Sequence, residues 1–154
     1  MEYGYLTTPI GTLKIGADPI GICEVEFTDE EIHTENENPL IIQAKNQLEE
    51  YFAGKRKVFD LSLHLTKGTE FQRICWDALM KIPYGETRSY YDQAVSIHKP
   101  KAVRAVGGAN HHNPISIIIP CHRVIAKNGT LCGYGGGLER KEYLLKLEAG
   151  AENE

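Results

Sequence analysis

Cys121 and His122 stand side by side in Pro120-Cys-His-Arg-Val124, directly after the apolar run Ile115-Ser-Ile-Ile-Ile119. A thiolate is a far stronger nucleophile than a thiol, and a neighbouring imidazole is a usual means of making one near neutral pH. A buried strand over the apolar run would deliver the cysteine to a sheltered pocket. Adjacent side chains on a strand point to opposite faces, so the two cooperate only if the chain turns there. On these residues alone, a nucleophile with its base and two unrelated side chains both remain open.

Further motifs surround the pair at fixed spacing: Tyr84-Gly-Glu-Thr-Arg-Ser-Tyr90, Pro100-Lys-Ala-Val-Arg-Ala-Val-Gly-Gly-Ala109, Asn113 through Val124, Gly133-Tyr-Gly-Gly-Gly-Leu138 and a closing helical stretch through Glu148. Together they resemble the O6-alkylguanine-DNA alkyltransferases, also called methylated-DNA–protein-cysteine methyltransferases. The resemblance runs without a gap from about Phe71 to Gly150. It is looser before that, resting on Thr8-Pro-Ile-Gly-Thr-Leu-Lys-Ile15.

The resemblance implies direct-reversal DNA repair. Cys121 would take an alkyl group from O6 of guanine, with O4 of thymine a further candidate, in a single turnover and with no cofactor. His122 would abstract the Cys121 proton through a water, and Glu148 would orient His122. Asn113 would hold the active-site loop. Tyr90 would touch a ring nitrogen of the flipped guanine, Tyr134 would line the pocket, and backbone groups near Cys121, Val124 and Gly135 would read the guanine edge. Arg104 would enter the base stack and Lys101 would meet a phosphate. Ala105, Gly107 and Gly108 would allow close approach to a minor groove, which is narrow. The implied partner is double-stranded DNA bearing O6-alkylguanine, bound by a monomer. Three positions depart from the family pattern: Lys99, Ser116 and Cys132. The last two point to small alkyl groups. The zinc site of some relatives is not carried over, because Asp18 and Cys23 do not reproduce its ligands, so no metal ligand is assigned and a metal in the N-terminal domain stays open. A DNA-binding damage sensor without transfer is the alternative. A Cys-His hydrolase would leave the helix-turn-helix unexplained.

Charge distribution agrees with a nucleic-acid partner although the net charge is −4. Residues 1–70 carry 6 Lys/Arg against 13 Asp/Glu, and residues 71–154 carry 11 against 8. From Lys81 to Lys127 the count is 7 against 2, so basic charge concentrates where the motifs lie. No apolar run nears the ~20 residues that span a bilayer, and Met1-Glu-Tyr-Gly4 has no signal-peptide pattern. A soluble, cytoplasmic protein is expected. The four cysteines form no CxxC pair, which disfavours a zinc ribbon or a thioredoxin-type motif.

The elements that must position these residues follow from periodicity. Gly4–Thr8, Thr12–Gly16 and Ile22–Phe27 alternate as strands, with turn chemistry at Pro9-Ile-Gly11 and Asp18-Pro-Ile-Gly21. Leu40–Ala53 repeats apolar residues as an amphipathic helix ended by Gly54, and Val58–Leu65 alternates as a further strand. Thr66–Thr69 marks a boundary, with Thr69 capping a helix from Glu70. In that helix Phe71, Ile74, Cys75, Ala78, Leu79 and Ile82 form the apolar stripe. Ser89 with Asp92 has capping-box spacing for Tyr90–Ser96, and Pro100 suits the first turn of Lys101–Ala109, giving a helix-turn-helix. The expected fold is α+β: residues 1–67 form a small antiparallel sheet with a helix, and 68–150 form a mainly helical DNA-binding and alkyl-acceptor domain. Residues 151–154 are a tail.

Overall fold

The computed structural model describes residues 1–31, 38–129, 134 and 136–150. The fold is α+β and divides into two compact units. One is Met1–Lys67 with Pro114–Ser116; the other is Gly68–Asn113 with the chain from Ile117 onward.

In the first unit, β1 (Glu2–Thr8), β2 (Gly11–Ala17) and β3 (Ile22–Thr28) form an antiparallel sheet in sequence order. Thr8 pairs with Gly11 across the first turn, and Gly11 has φ 129, open to glycine. The helix α1 (Pro39–Phe52) starts at Asn38, whose side chain accepts from the Ile41 amide, and ends before Gly54 at φ 77. Ile41, Ala44, Leu48 and Tyr51 on its inner stripe are buried, as are Leu13, Ile15 and Val25 of the sheet.

The strand expected at Val58–Leu65 does not form. Only Leu63 bridges Ile22. The Asp60 backbone is instead clamped by Gln47, which donates to its carbonyl at 3.0 Å and accepts from its amide at 2.8 Å. Alternation there reflects a half-buried coil whose backbone groups are met partly by this helix side chain, at Asp60, and partly by Ile22 of β3, at Ser62 and His64.

In the second unit, α2 (Glu70–Met80) and α3 (Tyr90–Ser96) begin with capping boxes, Thr69 with Gln72 and Ser89 with Asp92. The apolar stripe of α2 differs in one place from the periodicity. Ile74 is exposed, and Trp76 is buried with its indole N–H on the Ala109 carbonyl at 2.8 Å. The helix α4 (Val103–His111) begins two residues later than Pro100 would place it. Lys99 and Ala102 first close a turn, and Ala102 caps the helix without a side-chain bond. Cys75, Ala94, Val106 and Ala109 form the core between these three helices. A reciprocal amide pair, Gln93 with Asn110 at 3.0 and 2.7 Å, locks α3 to α4. The two-residue strands β4 (Arg88–Ser89) and β5 (Val124–Ile125) pair in parallel, and α5 (Leu138–Glu148) closes the unit.

Candidate active site and nucleic-acid interface

The run Ile115–Ile119 is not a strand. Ile115 forms a single bridge to Val25, and Ile117 adopts φ 71, a left-handed conformation that costs a β-branched residue on the order of 1–3 kcal/mol. The Cys121 amide bonds back to the Ile119 carbonyl at 2.8 Å around Pro120, at φ −82 and ψ 65, which is an inverse γ-turn. Cys121–Arg123 then form a single 3-10 turn. The chain therefore does turn at the Cys-His pair, as cooperation between the two requires.

Asn113 spans this loop. Its Nδ2 donates to the Ile119 carbonyl at 2.7 Å and to Cys121 Sγ at 3.2 Å. Cys121 is buried, which pushes its thiol up, while the Asn113 hydrogen bond and the Lys141 charge pull it down.

His122 is fully buried and directs Nε2 to Glu148 Oε2 at 2.7 Å. Its Nδ1 is buried and has no hydrogen-bond partner among the described residues. Burial holds the imidazole below its ordinary range, against the pull of Glu148. For Glu148, burial raises the carboxyl, but hydrogen bonds and charge from His122 and Arg123 outweigh it and leave the group at about 2. Glu148 comes to this position because Lys141, Leu144 and Glu148 share the buried stripe of α5, one inward residue per turn.

Two charged residues complete the site without having been singled out from the sequence. Arg123 is buried and forks onto Glu148, through Nε at 2.7 Å and a terminal nitrogen at 3.1 Å, with its other terminal nitrogen on the Ile82 carbonyl at 2.7 Å. Lys141 is fully buried, donates to the Val124 carbonyl at 2.6 Å and lies 5.8 Å from the centre of the Tyr90 ring. The available signal was two charges on one apolar stripe of α5.

Tyr90 is half-buried at the start of α3, and a Cβ on Gly107 would lie 3.8 Å from its ring. Lys101, Arg104, Ala105 and Gly108 are exposed, whereas Val106 and Ala109 face the core. A side chain added at Gly108 would meet nothing within 4 Å, so packing within the chain does not require its small size. Tyr134 is buried. Gly135 and Cys132 lie outside the described residues. Cys75 is buried and free, its thiol pushed up to about 11 by burial, as befits an inert core residue. Among the described residues no helix is long and apolar enough to cross a membrane.

Away from this site, Asp18, Cys23 and His64 bring donor atoms within 4.8 Å of one another in the first unit. Zinc takes such donors at bonds of roughly 2.0–2.3 Å, which sets neighbouring tetrahedral ligands about 3.3 Å apart or more. His64 Nδ1 and Asp18 Oδ2 lie at 2.6 Å, a direct hydrogen bond, and the other Asp18 oxygen accepts from the Ile20 and Gly21 amides. As arranged, the three side chains stand at a hydrogen-bonded turn.

Comparison with known proteins accords with the geometry. Residues 70–150 match the family described as 6-O-methylguanine DNA methyltransferase, DNA binding domain, and residues 1–65 match its ribonuclease-like domain. The methylated-DNA–protein-cysteine methyltransferase of Mycolicibacterium paratuberculosis is 52% identical, over 96% of this chain and 92% of that one. Its counterpart from Methanosarcina acetivorans is 49% identical over 96% and 98%. The Mycobacterium tuberculosis OGT crystallised in complex with DNA superposes with a TM-score of 0.89 at 45% identity, covering 97% of this chain and 94% of the other. With matching profiles in both halves and a buried Cys-His-Glu arrangement, this chain belongs to the methylated-DNA–protein-cysteine methyltransferase family.

Proposed function

We propose that the protein repairs alkylated DNA by direct reversal, transferring an alkyl group, methyl above all, from O6 of guanine to Cys121. One observation carries this assignment. A buried cysteine and a buried histidine share one turn, and the histidine has Nε2 committed to a carboxylate and Nδ1 open. Because Nε2 faces an acceptor, the neutral ring carries its proton there and leaves a lone pair on Nδ1. That lone pair can take the Cys121 proton through a water. The thiolate sulfur then attacks the alkyl carbon, an S–C bond forms, and the C–O6 bond breaks with its electron pair passing to the guanine. The guanine anion is neutralised by a proton, with the Tyr90 hydroxyl as donor at a ring nitrogen. A thioether is a poor leaving group, so each molecule acts once and needs no cofactor.

The base must leave the helix to reach a buried thiol, at a cost of a few kcal/mol for unstacking and unpairing. In this proposal Arg104 fills the vacated stack. Ala105, Gly107 and Gly108 bring α4 against the groove, and Lys101 neutralises a phosphate. Tyr134, with backbone groups of Cys121, Val124 and Gly135, encloses the base. The Val124 carbonyl already accepts from Lys141, which leaves its second lone pair for the guanine. A soluble, cytoplasmic monomer fits this role.

The test is a pair of variants. Cys121→Ala should bind O6-methylguanine DNA but take up no methyl, since phosphate contacts come from other residues. Arg104→Ala should slow repair of duplex DNA more than reaction with the free modified base, which needs no flipping. Equal slowing on both substrates would refute the intercalating role. A damage sensor would show binding by the unaltered protein and no transfer.

A further inference from the structure

We infer that Arg123 is a positioning residue that cancels the charge of Glu148, so that His122 is held as a neutral base with its lone pair on Nδ1. The inference deepens the proposed transfer chemistry and rests on it for its consequence, though not for its test.

Glu148 alone works against a neutral His122, opposing the burial that favours the uncharged ring. An ionised carboxylate at 2.7 Å from an imidazole, both buried, favours the imidazolium, because an opposite charge at that range stabilises the protonated form. An imidazolium has no lone pair and accepts nothing from a thiol. It would also bury an N–H at Nδ1, where no acceptor stands among the described residues, and an orphaned buried donor is costly. The observed geometry resolves this conflict. Arg123 reaches both oxygens of Glu148, at 2.7 and 3.1 Å, and is itself anchored by the Ile82 carbonyl. The two opposite charges satisfy each other, and His122 is left to donate a single hydrogen bond to an already neutralised carboxylate.

The other groups facing the imidazole push the same way or are uncharged. Lys141 of α5 is cationic and opposes protonation of His122. Tyr84, whose ring lies 5.7 Å from the Arg123 guanidinium, stays neutral because burial and Glu148 raise its hydroxyl. Cys121, on the same turn, is raised by burial. Glu148 is thus the one anion acting on His122 among these groups, and Arg123 is the group that forks onto it.

The test reads the charge of His122 directly, by NMR titration of its ring carbons in the DNA-free protein, alongside the pH dependence of single-turnover transfer. In Arg123→Gln the His122 midpoint and the acid limb of transfer should both move up, by about 1–3 pH units. Arg123→Lys keeps the charge without the fork and should restore the limb most of the way. The double variant Arg123→Gln with Glu148→Gln removes both charges and should return the His122 midpoint toward its unaltered position, even if transfer is slow. A merely structural arginine would lower stability in all three without moving the midpoint, and that result would overturn the inference. If Arg123→Gln proves too unstable to titrate, the double variant and Arg123→Lys still decide. An elevated midpoint in the double variant, or an imidazolium at neutral pH in Arg123→Lys, refutes the idea. If the unaltered protein takes up no methyl while the midpoints shift as stated, the transfer assignment fails and the charge-cancelling role stands.

Discussion

Asn113 offers the sharpest probe of how the loop is held. Its Nδ2 serves two acceptors, the buried Ile119 carbonyl at 2.7 Å and Cys121 Sγ at 3.2 Å. Asn113→Ala removes both bonds. The Ile119 carbonyl keeps the Cys121 amide as a donor and loses its second hydrogen bond, at a cost of about 0.5–1.5 kcal/mol. The loop also carries Ile117 at φ 71, a strained backbone that persists only while its surroundings fix it. The thiol loses a hydrogen bond that opposes the effect of burial, so its pKa moves further up. Each unit of that rise removes about tenfold of the thiolate at a fixed neutral pH. Asn113→Asp is the discriminating control. It is nearly isosteric but sets a carboxylate oxygen against a carbonyl oxygen and a sulfur, so it should be worse than alanine on both counts. The assays are urea denaturation and the pH dependence of Cys121 alkylation by iodoacetamide. Stability within error of the unaltered protein for Asn113→Asp, or a lower thiol pKa in either variant, would refute the reasoning.

Four further outcomes are expected. Gly108→Ala should stabilise the fold by up to about 1 kcal/mol, since glycine in a helix interior is that much poorer than alanine and the new methyl meets nothing; the same methyl should weaken binding to duplex DNA, and a gel-shift titration beside thermal melting reads the opposite signs. Gly68→Ala should cost on the order of 3 kcal/mol, because a Cβ there would lie 2.6 Å from the Trp76 ring at φ 108; chemical denaturation measures it. Glu148 has a folded pKa of about 2 against an ordinary 4.5, so its contribution is fully present above pH 4.5 and is lost as pH falls toward 2, up to about 3 kcal/mol; Glu148→Gln should flatten stability against pH across that window. Ser116→Pro should destabilise by about 1–3 kcal/mol whatever it does to the pocket, because the Ser116 amide donates to the Val25 carbonyl at 2.8 Å; Cys132→Gly is therefore the cleaner test of a pocket restricted to small alkyl groups, read as faster inactivation by O6-benzylguanine.

Local chemistry made much of this molecule legible in advance. Thr69 caps its helix as expected, and Ser89 starts its own with the expected capping box, because those signals are short-range and few alternatives compete with them. Cys121 and His122 stood out by residue type and Glu148 through the family resemblance, and the structure joins His122 to Glu148 and Cys121 to Asn113. What stayed hidden depended on partners distant in sequence. Val58–Leu65 alternates like a strand, yet it meets β3 only around Ile22, through Ser62 and His64, and the Gln47 amide takes the Asp60 backbone. Ile115–Ile119 has strand composition, but the turn at Ile117 overrides β-propensity, which mostly reports packing. Arg123 and Lys141 were opaque because charged residues are almost never fully buried unless paired, and their partners lie 25 and 17 residues away. The late start of α4 follows from a turn through Lys99 and Ala102 that Pro100 alone does not specify.

The central claim is that Cys121 alone receives the alkyl group, once. Intact mass spectrometry of the protein before and after incubation with excess O6-methylguanine DNA, followed by peptide mapping, tests it most directly. The account predicts a gain of one methyl group per molecule, located on the peptide carrying Cys121, with no further gain on longer incubation. No gain in mass, methyl on Cys75, Cys23 or Cys132, or repair of more lesions than protein molecules present would contradict it.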